Sequence, residues 1–598
     1  MRLENKQQKA KGVKVGFWSW CKDFWKRNYI YIIMVSAAIL RVVLGYCMGG
    51  WHEVNALYDD GAMMRGLSLE RLVAPNEWAL IKHLGFSVFL GITAVSNLPY
   101  TVMLSLFWVL AATVIFMMVR KLTDKKWVQL GAFLYVLFLP IAFTSWGGLR
   151  IYRNAIIPPA IILTFGLALI LIIDIIKKEK TGRTIGAAIC TGLSFSFTYF
   201  LKEDGIWMEL CMAVVLVICL GIIISRYVKE KTKDYKLARR YLGLAAIAMV
   251  PFVIFFVSDN VYKGLNHYFF GVYEINTRTE GELGKFVYNI YKIDSPNRKI
   301  DEWAPYDAIE AAFKASATLQ KYPQLLEKIK TTEWYDGDII KNPIKRDFLT
   351  WVMRTELVDA KMWQNEKQVN ELFRVVNNEL AESFRDGTLK KAEGRIQLLA
   401  STGGYTLDEI RNSDLMARTW AGIAEANWMP SYEIGFYDEE VAYATKGKEW
   451  DYGPVNKVLH MENDVNIIGG GKRAVANKVG EIICVIYRII NTVLFVVTPV
   501  FIIWVIVDLM RNRKKLKSYM KKNGVVIGMA TAATMFLGVT ILYSFATAWF
   551  FISPAGTAHG GDVFIFYSVG VPGLLAMTYV TAMVGMSEKW RLMRRGAK

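Results

Sequence analysis

Two adjacent carboxylates stand in a polar stretch directly after the first long apolar segment of the chain. They are Asp59 and Asp60, in the sequence YDDGAMM. A carboxylate can accept the proton of a hydroxyl or an amine while that group attacks an electrophilic carbon, so the pair could supply a general base. One acid could instead orient a partner or a divalent cation while the other acts as the base. The alternative is a solvated turn or a helix cap, for which Asp before Gly is typical.

Basic side chains near other apolar segments suit an anionic group. Arg150 and Arg153 lie in SWGGLRIYRN, just before an apolar segment, and Lys82 and His83 lie in LIKHLGF. A guanidinium group can bind a phosphate through two parallel hydrogen bonds. The alternative is that the arginines extend to lipid head groups at the membrane surface. We therefore treat these four residues as candidates for holding a phosphate.

A further charged group occupies a very short loop, and one histidine lies in a glycine-rich one. The sequence LKEDGIW contains Lys202, Glu203 and Asp204, and ISPAGTAHGGDVF contains His559. Singly, these residues fit a polar loop or an ordinary surface position. Together they indicate a cavity, because charged residues at the ends of membrane segments tend to mark a substrate path. No Cys or His spacing typical of a metal site is present, so no metal ligand is predicted, although a divalent cation remains possible.

The composition indicates an all-α membrane protein that crosses the bilayer many times. Hydrophobic residues make up 54% of the 598 residues, and the apolar runs are long enough to cross a hydrocarbon core of ~30 Å. About ten transmembrane helices are predicted, at 28–50, 98–119, 127–145, 155–176, 184–201, 206–225, 241–258, 481–507, 525–552 and 563–586. The net charge of +19 comes largely from short loops between these segments, so membrane lipids are the expected partners and nucleic acid is not.

The distribution of Lys and Arg predicts the orientation. Seven such residues fall in each of the loops 226–240 and 511–522, against one in 202–205 and none in 553–562. Because cytoplasmic loops carry the excess of Lys and Arg, we expect both termini inside and the candidate residues outside. Counting 84–97 as a span would invert the later loops, so this segment is predicted to be an interfacial helix.

Three regions follow from this topology. Residues 1–258 form an N-terminal membrane module with seven spans and a catalytic first external loop at 51–97. Residues 259–480 form a large, mainly helical extracytoplasmic insert, and 481–598 form a C-terminal membrane module with three spans. The polar and aromatic segment 269–286, at the start of the insert, is expected to lie over the cavity.

The first external loop resembles that of the GT-C superfamily of integral-membrane glycosyltransferases, which includes protein O-mannosyltransferases and lipid A aminoarabinose transferases. The resemblance rests on YDDGAMM after the first span and on LIKHLGFSVFLGI leading into the interfacial helix. It covers about the first 210 residues, and the remainder only in layout. The chain departs from the pattern at Leu84, where proline is common, and at Gly61-Ala62.

This resemblance implies an inverting glycosyltransferase that moves a hexosyl or pentosyl group from a polyprenyl-phosphate donor. The acceptor would be a cell-envelope glycan, lipid or protein, and the location a bacterial plasma membrane. Asp59 matches the catalytic acid best, with Asp60 close behind, and Lys82 and His83 match the segment that touches the donor phosphate. The pair Glu203-Asp204 resembles an acidic pair of related bacterial enzymes. With Lys202 and His559 it is expected to line the cavity or to contact the acceptor.

Other classes of function stay open at the level of sequence. A transporter or flippase for lipid-linked sugars would be expected to show internal repeats and interrupted helices with charges at mid-membrane depth, and we see no repeat here. A structural protein whose external insert binds envelope components is another alternative. A polysaccharide polymerase or ligase would use related chemistry.

Overall fold

The structure is a computed structural model that describes residues 17–51, 77–230, 235–398, 402–430, 433–435, 459–461, 471–556 and 566–596. This part of the chain is helical, and its β pairing is limited to isolated bridges. The prediction of an all-α membrane protein is therefore confirmed for the described residues.

Long apolar helices form a bundle around one large hydrophobic core. In chain order the helices of the N-terminal part are α1 (Phe17–Met48), α2 (Gly85–Ser96), α3 (Tyr100–Leu122), α4 (Lys126–Leu137), α5 (Ile157–Lys177), α6 (Thr181–Tyr199), α7 (Ile206–Glu230) and α8 (Tyr235–Phe270). Among the described residues, nine helices are long and apolar enough to cross a membrane.

The count differs from the ten predicted spans at α6. This helix corresponds to the predicted span 184–201, but its threonines and serines lower its hydropathy, and it is not among the nine. It packs between α5 and α8. There the Thr164 hydroxyl lies 2.7 Å from that of Ser194 and 2.9 Å from that of Thr198. The polar face of α6 is thus satisfied by a neighbouring helix rather than by the lipid.

The short helix α2 occupies the segment predicted to be interfacial. Its 12 residues extend roughly 18 Å at 1.5 Å per residue, which is too short to cross a hydrocarbon core of about 30 Å. Asn97 ends the helix in the left-handed conformation with φ 57°, and Pro99 then precedes α3. This turn keeps α2 and α3 separate helices.

The insert builds a second hydrophobic core from shorter helices. They are α9 (Glu282–Tyr291), α10 (Tyr306–Ala315), α11 (Pro323–Lys330), α12 (Leu349–Asp359), α13 (Glu366–Asp386), α14 (Leu407–Arg411) and α15 (Leu415–Trp428). The C-terminal helices are α16 (Gly471–Arg511), α17 (Leu516–Phe550) and α18 (Gly570–Gly596). The end of α17 enters the insert core, where the rings of Trp549 and Tyr405 are 5.1 Å apart.

The predicted boundaries of the insert fall inside continuous helices. Position 258 lies within α8 and position 480 lies within α16, because each helix continues in polar sequence beyond its most apolar part. In addition, α15 packs mainly against α16, α17 and α18, and only Leu415 at its start belongs to the insert core. The carbonyl of Asn427 on α15 accepts a hydrogen bond of 2.8 Å from Asn491 on α16. The region 259–480 is therefore not a single separate body.

Candidate functional site

A cavity of about 1470 Å³ runs between α5, α7 and α17. We call it the groove, and its walls are residues 165–177, 206–222 and 521–550. The groove residues on α17 cover about 30 positions, which is roughly 45 Å of helix. This length exceeds the ~30 Å of a hydrocarbon core, and the walls between the two ends are mostly apolar. The groove therefore suits long hydrocarbon chains.

Charged residues from both the membrane module and the insert converge at one end of the groove. We call this the charged end, and it contains Lys82, Arg153, Lys202, Glu203, Asp204, Arg278, Glu280 and Asp347. Four of these residues are basic and four are acidic. Five of the eight are sequence-predicted site residues.

A tight turn between α4 and α5 positions Arg153. Residues Ser145–Leu149 form a single π-helical turn. A Cβ atom on Gly148 would lie 2.4 Å from the carbonyl oxygen of Ala142, so this close approach requires glycine. Arg153 then opens the short helical turn that precedes α5, and the residue is 3% exposed.

A second close approach brings the loop after α6 to the segment before α2. The amide of Gly85 donates a hydrogen bond of 2.8 Å to the carbonyl of Phe200. A Cβ atom at position 85 would lie only 2.4 Å from that same oxygen. Next to this contact, the backbone amide of His83 donates a hydrogen bond of 3.4 Å to Glu203 Oε1. The close approach of the two segments thus places Glu203 in the charged end.

Glu203 is the centre of an ion-pair network. Nη1 of Arg153 lies 2.8 Å from Oε1 and 2.7 Å from Oε2 of Glu203. Nη2 of Arg278 lies 3.6 Å from Oε2 of Glu203, and Nη1 of Arg278 lies 2.9 Å from Asp347. The network joins the membrane module to the insert through the buried Arg153 and the half-buried Arg278.

The electrostatics fix the charge state of this network. Burial alone would raise the pKa of the Glu203 carboxyl, but Arg153, Lys82 and Arg278 outweigh it and hold that pKa well below its usual range. Burial would likewise lower the pKa of Arg278, and Glu203 and Asp347 reverse the effect and raise it. Glu203 is thus ionised at neutral pH, which makes it a weak proton acceptor and a strong anchor for arginines.

Lys202 and Asp204 form a second, more accessible pair. Nζ of Lys202 lies 2.7 Å from Oδ2 of Asp204 and donates a hydrogen bond of 3.0 Å to the carbonyl of Tyr567. The hydroxyl of Tyr543 on α17 donates to Asp204 at 3.1 Å. The Asp204 side chain is 42% exposed, so it is open to a polar ligand.

Lys82 and His83 occupy different positions. Lys82 lines the groove, and its ammonium lies 5.2 Å from the ring centre of Trp351. His83 is not among the residues that line the groove. Its Nε2 lies 3.2 Å from the Asn276 amide nitrogen, and burial lowers its pKa although Glu203 opposes this. His83 therefore contacts Glu203 and Asn276 without lining the groove.

Arg150 lies outside the groove, in an aromatic cage. Its guanidinium carbon is 5.1 Å from the ring of Trp146, 4.7 Å from that of Tyr152 and 5.1 Å from that of Phe566. These cation–π contacts fit a positioning role in the loop. Of the two arginines predicted to hold a phosphate, the structure places only Arg153 in the groove.

The candidate residues Asp59, Asp60 and His559 lie outside the described residues. The described residues on either side of the segment that carries the acidic pair contact the loop before α5 and the insert. The amide of Ile151 donates a hydrogen bond of 2.9 Å to the carbonyl of Trp51. At the other border, the ring of Trp78 stacks on that of Trp351 at 5.8 Å.

The insert contributes residues that the sequence did not single out. Arg278 and Glu280 fall in 269–286, the segment expected to lie over the cavity, and they line the groove. Asp347, Phe348 and Trp351 line it as well, but no motif marks them, because only the folded insert brings them to Arg278. Among the described residues, no group of three or more His, Cys, Asp or Glu side chains could hold a metal ion.

No family model matches the chain, and no curated protein is significantly similar to it. The arrangement of its own residues must therefore carry the functional argument.

Proposed function

We propose that the chain is a membrane glycosyltransferase that moves a sugar from a polyprenyl-phosphate donor to a cell-envelope acceptor. The observation that supports it is the combination of a long apolar groove with a charged end that contains Arg153, Arg278, Lys82 and Lys202. A lipid-phosphate donor has the same division, with a long hydrocarbon tail and an anionic head.

The charged end suits the phosphate that leaves during transfer. Arginines bind phosphate oxygens in a fixed geometry, and lysines act as point charges beside them. Glu203 would hold the two arginines in place before the donor binds, so that little reorganisation is needed during the reaction. Arg150 lies outside the groove in its aromatic cage, and its role in phosphate binding stays a prediction.

The proton from the acceptor would go to Asp59, with Asp60 beside it, as the sequence resemblance implies. The described residues next to this segment, Trp51 and Trp78, contact Ile151 and Trp351, and the assignment itself rests on the sequence resemblance. Glu203 does not suit the role of the base, because its pKa is held too low. In transfer the acceptor oxygen or nitrogen forms the bond to the anomeric carbon, the bond to the phosphate oxygen breaks, and the carboxylate takes the acceptor proton.

The insert side of the charged end suits the sugar. Phe348 is 42% exposed, and its ring is 6.5 Å from that of Trp334. Both residues line the groove beside the Asp347 carboxylate. Aromatic faces pack against the C–H faces of a sugar and carboxylates accept hydrogen bonds from its hydroxyls, as in other ligand sites with apolar walls and a few polar groups.

Topology and location complete the proposal. The Lys and Arg distribution favours both termini inside and the charged end outside, in a bacterial plasma membrane. There a lipid-linked sugar is the expected donor.

A transporter or flippase for lipid-linked sugars is the second candidate. It is favoured by one observation, namely that the groove continues to a second set of charged residues at its other end, including Lys177, Lys522 and Arg591. A groove with charges at both ends could carry a lipid head group from one membrane face to the other.

Reconstituted protein separates these two functions. Proteoliposomes would receive lipid extract from cells that carry the gene, together with an envelope acceptor fraction from the same cells. A glycosylated product that depends on Asp59 supports the transferase. Movement of lipid-linked sugar between leaflets without any product would instead support the transporter. Asp124→Asn, a change in the basic loop after α3, serves as the matched acidic control.

A further inference from the structure

A second cavity lies outside the groove, at the corner where α16 turns into α17. It has a volume of about 510 Å³ and is lined by Val507, Met510, Arg511, Arg513 and Lys514. We call these five residues the basic corner. They lie at the end of α17 opposite to the insert, because the last turn of this helix enters the insert core. Two arginines and one lysine therefore share a small space with apolar side chains at one end of the bundle.

The cations of the basic corner lack acidic partners that other basic residues have at this end of the bundle. At the start of α6, for example, Nη1 of Arg183 lies 3.4 Å from Oε2 of Glu179. Within the described part of the chain, none of the three cations of the basic corner takes part in an ion pair. An excess of Lys and Arg at one membrane face is expected in any case, but unpaired cations around one cavity are a further feature that suits an anionic ligand.

The acid nearest to the basic corner along the chain is already neutralised. Asp508 is ion-paired with Lys589 on α18, and its carboxylate accepts a hydrogen bond of 3.1 Å from the hydroxyl of Tyr519 on α17. The amide of Lys515 donates a hydrogen bond of 2.9 Å to the carbonyl of Asn512 and closes the turn between the helices. The backbone that carries the cations is thus fixed by three helices, so that a ligand would not have to order it.

Apolar side chains beside these cations are exposed. Met510 is 67% exposed, and Leu516 and Met520 at the start of α17 are 40% and 47% exposed. Helical geometry is interrupted at Asn523, where φ is −109° and ψ is 20°, so the first turns of α17 form a short segment ahead of its apolar span. Basic and apolar side chains next to each other at the end of a membrane helix are typical of contact with lipid head groups and the adjoining chains.

We propose that the basic corner binds an acidic phospholipid whose head group carries two phosphates. One arginine can bind one phosphate through two parallel hydrogen bonds, and Arg511 and Arg513 line the same cavity. Two phosphates joined in one molecule therefore match the two arginines, and Lys514 adds a further positive charge. The acyl chains would cover Met510 and follow the surface of α16. A free anion would match the cations but would leave the apolar side chains uncovered.

The basic corner is separate from the groove. None of its five residues is among those that line the groove, so a phospholipid bound here would not compete with a polyprenyl tail. The proposal therefore does not depend on glycosyl transfer, and it applies equally to a transporter.

Native mass spectrometry of the detergent-purified full chain tests this proposal. The protein is titrated with cardiolipin, which carries two phosphates, and separately with phosphatidylglycerol, which carries one. We expect cardiolipin to be retained at least about tenfold more tightly, because losing a hydrogen bond between charged groups weakens binding roughly 10- to 100-fold. Equal retention of the two lipids would overturn the proposal. Inorganic diphosphate in tenfold excess should leave cardiolipin bound, and displacement would show that the corner takes a free anion instead.

Two variants and one control locate the site. Arg511→Gln and Arg513→Gln replace exposed side chains, so the variants should fold, and each should weaken cardiolipin retention at least about tenfold. Because the acyl chains are unchanged, such a loss would be due to the head group. Arg183→Gln removes the same charge from a side chain that is 67% exposed and should leave retention unchanged. Retention that persists in both corner variants, or falls equally in the control, would show that cardiolipin does not bind at the basic corner.

Discussion

Arg153 and Glu203 meet at the charged end of the groove, with one guanidinium nitrogen 2.8 Å and 2.7 Å from the two carboxylate oxygens. The two side chains are 4% and 6% exposed. The pair joins the turn before α5 to the loop after α6. Arg278, which belongs to the insert, contacts the same carboxylate. One anion thus fixes three parts of the chain.

Replacing Glu203 with Gln should destabilise the protein. The change leaves the buried Arg153 beside a neutral group, and breaking a buried ion pair typically costs about 3–5 kcal/mol. We expect a lower midpoint of thermal unfolding in detergent. Glu481→Gln removes the acid of an exposed pair and should leave the midpoint almost unchanged. Equal midpoints for wild type and Glu203→Gln would contradict the network.

The same carboxylate predicts a pH dependence of stability. The pKa of Glu203 is lower in the folded protein than its ordinary value of 4.5, so the folded state favours the ionised form. The stabilisation is therefore present above pH ~4.5 and is lost as the pH falls through the folded pKa. Unfolding midpoints measured at acidic pH should fall more steeply for wild type than for Glu203→Gln. Parallel curves would show that Glu203 does not contribute.

Arg278 should determine affinity for a lipid phosphate. Arg278→Gln removes a charge-assisted hydrogen bond of about 1.5–3 kcal/mol, which corresponds to roughly 10- to 100-fold weaker binding. Titration with undecaprenyl phosphate measures the change. Arg298→Gln is a matched control, because Arg298 is another half-buried arginine of the insert and is paired with Glu409 at 2.6 Å. Equal affinity losses in the two variants would indicate a general loss of stability.

Two glycines on α17 test whether the groove holds the lipid tail. Gly528 lines the groove and Gly538 does not, while a Cβ atom on either would meet no atom within 4 Å. Gly528→Phe should therefore weaken binding of undecaprenyl phosphate by at least about tenfold, and Gly538→Phe should not. If both variants bind the lipid as wild type does, the tail lies elsewhere.

The sequence predicted those parts of this arrangement that depend on local composition. Hydropathy indicated the helical membrane fold, and charge at helix ends indicated Arg153, Lys202 and Glu203. The same reasoning included Arg150, because a basic residue near a span does not reveal which way its side chain points. It could not find Asp347 or Trp351, since these reach the groove only through the packing of the insert core. The position of α15 among the C-terminal helices was missed for the same reason: its 14 residues are too few to indicate a span.

The central claim is that the chain transfers sugar from a lipid phosphate with Asp59 as the base. Mass spectrometry of envelope glycans tests it most directly, in cells with the gene, without it, and with Asp59→Asn at equal protein level. Because general base catalysis contributes roughly 10²- to 10⁴-fold, we predict one glycan modification that is present with the wild-type gene and lost in both other strains. Identical glycans in the three strains would contradict the account.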